Sequence, residues 1–396
     1  MQTNAERPLL MLAYGFRPFF LLAGIYGTLA VAVWTAAYVG ALPLPRTFSP
    51  MLWHGHEMLF GFTAAVLSGF LMTAIPNWTQ SSPVSGGRLA ALVALWFAGR
   101  LAFLMSDFLP AVVTAAVDLA LIPTLAVMAT APIFAMRQKH NYFFPALLAA
   151  FFVADLLIHL EAMGLTAATA ESGLYLAMYV VAMFLSLISG RIVPNFTAGA
   201  LRMRGENVEA RISMPLELSI VALMIAVAVA DLVFDSAAAG GALALVVAGL
   251  LAFRMLKWNT GKILDTPLLW VLHLGVLWLA TGFACLGLAD LTGFVAKSTA
   301  FHALTIGAGG TMALGVMTRA SLGHTGRPFV LAKPIPAAYI LISLAAVTRV
   351  FAPAIMPSAY QAFIVAAGLM WAAAFAIFAI VYWPVLTGPR ADGKPG

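Results

Sequence analysis

Trp53–His54–Gly55–His56–Glu57–Met58–Leu59–Phe60–Gly61 sets two histidines and a glutamate at the head of an apolar run that continues to Ile75. A run of about 20 apolar residues is long enough to cross the hydrocarbon core of a bilayer as a helix. The stretch therefore reads as a membrane helix with ionisable groups at its mouth. Such groups are costly in that setting and mark functional sites. The plain alternative is a pair of interfacial histidines facing headgroups and water. Four further histidines, His159, His273, His302 and His324, lie in or beside other apolar segments and favour a site.

The rest of the chain agrees. Of its 396 residues 63% are hydrophobic and 9% charged, against roughly 25% charged in a soluble domain. The mean hydropathy is +0.98. The fold class this implies is all-α, a polytopic membrane helix bundle. Residues 2–17 form a short basic leader, and the run after it is too long for a signal-peptide core, so it reads as the first span. The single cysteine, Cys285, lies in an apolar run and reads as a small buried residue. One cysteine excludes an intramolecular disulfide, a C-x-x-C centre and covalent haem attachment, so any haem is held non-covalently.

Apolar runs near 19–42, 56–75, 88–105, 110–136, 143–163, 173–193, 214–235, 240–256, 268–289, 298–318, 334–352 and 360–387 predict about 12 transmembrane helices in one domain, 1–396. Pro123 and Pro132 inside the fourth run predict a kink there. Twelve spans place all but Arg46, Arg100, Lys297 and Arg349 of the 21 basic residues on the side shared by both termini. That is the asymmetry of cytoplasmic termini. The positive charge of the chain is thus a topology signal and gives no support to nucleic-acid binding. Lipid is its surrounding partner.

Topology then sorts the histidines by depth. His54 and His56 open the second span, His159 closes the fifth and His302 opens the tenth, all toward the outer side; these four are the candidate metal ligands. His273 and His324 fall in the inner half and are candidates for a second centre. His140, in Arg137–Gln138–Lys139–His140–Asn141, reads as a solvated loop residue. Neutral imidazole suits haem iron, copper or zinc without carrying charge into the apolar phase. On one regular helix His54 and His56 point about 200° apart. Either the helix begins at His56, or the two serve different centres. No H-E-x-x-H, Walker or Rossmann pattern occurs.

The other intramembrane charges are Glu57, Arg100, Asp118, Asp155, Glu161 and Arg349. Arg100 and Arg349 can bind the acidic group of a cofactor or pair with Asp118 or Asp155. Asp155 and His159 are four apart and share a helix face, which lets the carboxylate orient an imidazole or relay a proton. Glu57 and Asp155 are the candidate catalytic proton carriers. A weak echo links His56-x4-Gly61-x7-Gly69 to His302-x4-Gly307-x7-Gly315. Another links Ile75–Pro76–Asn77–Trp78–Thr79 to Val193–Pro194–Asn195–Phe196–Thr197. The spacing predicts three parallel four-helix repeats, 1–140, 141–262 and 263–396.

Arg17–Pro18–Phe19–Phe20, the His54–His56 stretch, both Pro-Asn motifs, Phe301–Gly307, Gly315–Ala320 and Ser321–Pro328 together resemble the NnrS family of bacterial membrane proteins. The resemblance implies a twelve-helix inner-membrane protein containing haem and copper, tied to denitrification and nitric oxide stress. His54, His56, His302 and His324 lie inside matching motifs; His159 and His273 are added from their position. The expected function is binding of nitric oxide and its reduction to nitrous oxide, with electrons from a quinol or a periplasmic donor. The expected cofactors are non-covalent haem b, in one or more copies, and copper. The alternatives are a haem protein that senses or buffers NO without turnover, and a twelve-helix secondary transporter.

Overall fold

The computed structural model describes residues 10–394. Every regular element among them is helical, and twelve helices are long and apolar enough to cross a membrane. They are α1 (Phe16–Tyr38), α2 (Pro50–Thr79), α3 (Gly86–Leu104), α4 (Ala111–Ala135), α5 (Lys139–Ala162), α6 (Thr169–Met203), α7 (Met214–Leu232), α8 (Ala237–Leu256), α9 (Pro267–Thr292), α10 (Lys297–His324), α11 (Ile335–Ile355) and α12 (Pro357–Thr387). Each falls on one of the twelve apolar runs, so the chain is the polytopic helical bundle its composition predicts.

Three departures from those runs matter. First, α2 starts at Pro50, well before His56. Ser49 Oγ accepts from Leu52 N at 3.2 Å, and Pro50 occupies the first turn, where a missing N–H is harmless. Second, α4 is broken into Ala111–Asp118 and Leu121–Ala135. Pro123 cannot donate to Leu119 O and its ring crowds that carbonyl, so the regular ladder stops there. Third, α6 runs well past 193, to Met203. Asn195 Nδ2 donates to Arg191 O at 2.6 Å and Thr197 Oγ1 to Val193 O at 2.9 Å, which supplements the ladder around Pro194.

Two of the helices contain π-helical turns. One covers Glu57–Thr63 in α2 and the other Ala303–Gly310 in α10, directly after His56 and His302. The sequence echo between these two segments thus has a counterpart in the backbone. π-turns inside α-helices often mark functional sites.

The chain divides into two compact units. The first takes in Met1–Ala177, Met317–Val330 and Phe375–Gly396, and the second Met178–Val316 and Leu331–Ala374. In the first unit, fully buried Arg17 donates from Nη1 to Leu386 O and Gly388 O, both at 2.8 Å. These carbonyls end α12 and have no partner further along the helix. At the start of α1, Phe16 N donates to Thr73 Oγ1 at 3.1 Å. In the second unit buried Arg254 donates to Glu217 Oε2 at 2.9 Å and Ser189 Oγ at 3.2 Å.

Candidate functional site

Six ionisable side chains of the first unit meet away from solvent: His56 and Glu57 from α2, Arg100 from α3, Asp118 from α4, and Asp155 and His159 from α5. None is more than 6% exposed. Local sequence puts each in place. His56 is the last residue before the π-turn and Glu57 the first within it. Asp118 ends the first half of α4, where the chain breaks ahead of Pro123. Asp155 and His159 stand one turn apart on α5. Gly99 makes the approach possible, because a Cβ there would lie 2.6 Å from Asp118 Oδ1.

The polar atoms converge. His56 Nε2 lies 2.9 Å from Asp118 Oδ2 and 3.1 Å from Asp155 Oδ1. His159 Nε2 lies 3.0 Å from Asp118 Oδ2 and 3.7 Å from Asp155 Oδ1. All four atoms are within 4.8 Å of one another. Behind them, His56 Nδ1 is 3.1 Å from Glu57 Oε1. Arg100 donates from Nη1 to the same oxygen at 2.6 Å, and from Nη2 to Asp118 Oδ1. Aromatic rings close the site: Phe103 stacks on His56 at 3.7 Å, and Phe48 on Phe103 at 4.2 Å. Phe60 lies 5.1 Å from the His56 ring.

The arrangement has a definite chemistry. Three carboxylates face one guanidinium in a setting where an unbalanced charge costs several kcal/mol. A His56 imidazole that donates from Nδ1 to Glu57 turns the Nε2 lone pair toward two carboxylate oxygens. A cation among the four atoms, or protons on the two imidazoles, resolves that conflict. Metal–ligand bonds of about 2.0–2.2 Å put neighbouring donor atoms roughly 3 Å apart, close to the separations seen. The set therefore fits a small metal ion. It does not fit haem: an axial imidazole needs an open plane in front of Nε2, and here two carboxylates occupy that direction while Phe103 covers the ring.

The remaining candidates have other partners. Because α2 runs through both histidines, the alternative with His54 in a preceding loop does not hold. The His54 ring stacks on Trp34 at 4.5 Å, away from the direction His56 takes. His324 ends α10 in the first unit, with its ring 5.5 Å from Phe16. The second unit holds the other three. His302 Nδ1 is 2.6 Å from Ser298 O. Both ring nitrogens of His273 meet threonine hydroxyls, Nε2 that of Thr197 and Nδ1 that of Thr260, each at 2.9 Å. The Arg349 guanidinium stands 5.8 Å from the Tyr360 ring centroid.

Arg100 thus takes the ion-pair alternative, with Glu57 as well as Asp118. Sequence reasoning gave Asp118 only as a partner for an arginine. Its place beside His56 and His159 is not evident in the sequence, although the kink expected at Pro123 signals a change of course in α4 there.

No curated protein shows significant similarity to the chain. The family model described as NnrS protein matches residues 10–390, which includes all twelve membrane helices and every residue of the buried cluster. The chain belongs to the NnrS family.

Proposed function

We propose that this chain is a metalloprotein of the nitric oxide response that binds NO at the buried centre of its first unit and reduces it to nitrous oxide. Family membership supports the link to nitric oxide. The observation that carries the reading is the convergence of two imidazole nitrogens and two carboxylate oxygens in a buried cluster walled by aromatic rings. The basic-residue asymmetry supports an inner-membrane location with both termini cytoplasmic. On that topology the cluster lies toward the periplasm.

The step balances as two NO plus one quinol giving nitrous oxide, water and quinone, so two electrons and two protons enter per cycle. His56, His159, Asp118 and Asp155 would hold the metal, and two nitrogen and two oxygen donors suit a first-row ion, copper among them. When bound, such an ion supplies a place for NO and a route for electrons. Arg100 fixes the Asp118 and Glu57 carboxylates, and Glu57 fixes the His56 ring. Glu57 and Asp155 border the centre and can hold the protons that reduction consumes. Phe48, Phe60 and Phe103 keep bulk water out. Haem is assigned no role at this cluster.

The test is NO consumption by purified protein with a soluble quinol, followed with an NO electrode alongside metal analysis. Wild-type protein should consume NO with matching nitrous oxide release, and His159→Ala should lose at least about tenfold of that rate with its metal. NO binding without turnover would reduce the protein to a buffer. A metal-free wild type that takes up nothing would favour a transporter.

A further inference from the structure

We infer that protons reach the buried cluster from the end of the first unit that carries the α3–α4 turn, by way of the hydroxyls of Ser106 and Thr114. This rests on the reading of the cluster as a centre that consumes protons and goes further by naming the residues that deliver them.

The state of the two hydroxyls is the first argument. In the first unit Thr28, Thr35, Thr73, Thr79, Thr124 and Thr130 each donate to the carbonyl four residues back, the ordinary refuge of a hydroxyl in an apolar helix. For Thr114 that carbonyl is Pro110 O, which accepts from Thr114 N at 3.1 Å. Thr114 Oγ1 makes no such bond; it is buried with no hydrogen-bond partner, and so is Ser106 Oγ. The two residues are 1% and 5% exposed. Buried hydroxyls left in this way are costly, and an ordered water is the usual remedy.

Position is the second. Thr114 stands four residues before Asp118 in the first half of α4, on the same face and about 6 Å away along the axis. Two hydrogen bonds of about 2.8 Å through one water cover that distance. Ser106 lies in the turn between α3 and α4, next to exposed Asp107. Polar groups thus run from the surface to Asp118, whose Oδ2 is 2.9 Å from His56 Nε2 and 3.0 Å from His159 Nε2. A hydroxyl in such a row takes a proton on its lone pair and releases its own on the other side, so each transfer leaves it unchanged. The neighbouring approach lacks this capacity. Phe48 is stacked on Phe103 and Phe103 on His56, and neither phenylalanine ring has a proton to give.

The route can be read without turnover. In full-length, histidine-labelled protein treated with a chelator, nuclear magnetic resonance gives the rate at which the ring N–H protons of His56 and His159 exchange with solvent. Thr114→Val removes the hydroxyl at nearly constant shape and should slow that exchange tenfold or more. Ser106→Ala should also slow it. Thr114→Ser should keep the wild-type rate, and so should Thr130→Val, whose hydroxyl is folded back on its own helix. Backbone amide exchange along α4 should be the same in all four variants, which shows that none has loosened the helix. NO consumption by Thr114→Val should be slowed with its metal content intact. Wild-type exchange in both Thr114→Val and Ser106→Ala would overturn the inference, and so would equal slowing in Thr114→Val and Thr114→Ser. Wild-type protein that consumes no NO, with the exchange rates as expected, would leave the route standing and sink only the NO-reducing reading.

Discussion

α2 and α10 begin alike and lead to different chemistry. In each, a histidine is followed at once by a π-helical turn with a glycine five residues on. In α2 that turn opens with Glu57, and His56 is fully buried against Phe103. Gly61 lies where a Cβ would come within 2.6 Å of Tyr26 and 3.1 Å of Arg100, and its carbonyl accepts from Trp96 Nε1 at 2.9 Å. In α10 the turn opens with Ala303. Gly307 receives the face of Trp278, Gly282 receives Leu304, and His302 is half-buried beside Ser298 O. One backbone device thus carries a charged cluster in the first unit and apolar packing in the second. The wider turn supplies room, and the residue after the histidine, with what stands across from it, decides what fills the room.

On the proposed metal centre, the largest effect expected from this contrast is on bound metal. His56→Ala should cost the protein most of its ion, a drop of tenfold or more, because a coordination bond is lost along with the hook for Glu57. His302→Ala should leave that ion in place. Metal analysis of both variants decides the point: if they lose the same ion to the same degree, the two turns are not chemically distinct and the contrast fails.

Glu57→Gln sharpens it. The side chain keeps its size and can still accept one hydrogen bond, but the charge shared with Arg100 is gone. Metal affinity should fall about 10–100-fold, as for other groups that orient a ligand imidazole. A competition titration against a chromophoric chelator measures this. Unchanged affinity would mean that Glu57 serves only the helix.

How much of this could be read in the sequence follows from what each feature depends on. The twelve spans were legible because a bilayer demands length and apolarity, both of which are local. So was the break in α4, since Pro123 acts on its own turn. His56, Glu57, Arg100, Asp155 and His159 were recognisable as costly intramembrane groups. That they meet was not, because the meeting depends on where α4 breaks and on Gly99 letting Asp118 reach α3. α2 starts earlier than its apolar run suggests, because a proline and a serine ahead of a polar stretch look like loop until the cap is seen. His273, bonded to two threonines, and His54, stacked on Trp34, look the same in sequence as His56 and His159, which meet carboxylates.

Glycines give a smaller and more specific effect. Gly99→Ala drives a methyl against Asp118 Oδ1 and should weaken metal binding more than it lowers the melting temperature. Gly307→Ala presses on Trp278 and should cost about 1–3 kcal/mol of stability, as overpacking does, with metal affinity untouched. Thermal unfolding and metal titration of both variants, side by side, would show the two losses exchanged if the roles of the turns are misassigned.

The smallest effect concerns the cover of the site. Asp107 accepts from Arg46 N at 2.7 Å, Thr47 N at 2.8 Å and Thr47 Oγ1 at 2.9 Å, and so holds the segment before α2 against the turn after α3. That segment ends in Phe48, which stacks on Phe103 and lies 6.4 Å, edge-on, from His159. Phe48 also lines a cavity of about 360 Å³ with Leu42, Arg46 and Pro50, so this ring stands between the cavity and the buried cluster. The backbone N–H groups of Arg46 and Thr47 hold the Asp107 carboxyl below its ordinary range. A carboxylate with a lowered folded-state pKa stabilises above its unfolded value, and that stabilisation is lost as pH falls through the folded value. The clamp should therefore hold throughout the neutral range and open only in acid, below the usual carboxylate pKa. Hydrogen exchange at the Arg46 and Thr47 amides reads this directly. Asp107→Asn should lose several-fold protection at neutral pH and release its metal to a chelator faster, with the same metal content at the start. Full protection in the variant, or release no faster than wild type, would show that Phe48 stays in place without the clamp and that α1 and α2 alone hold the cover.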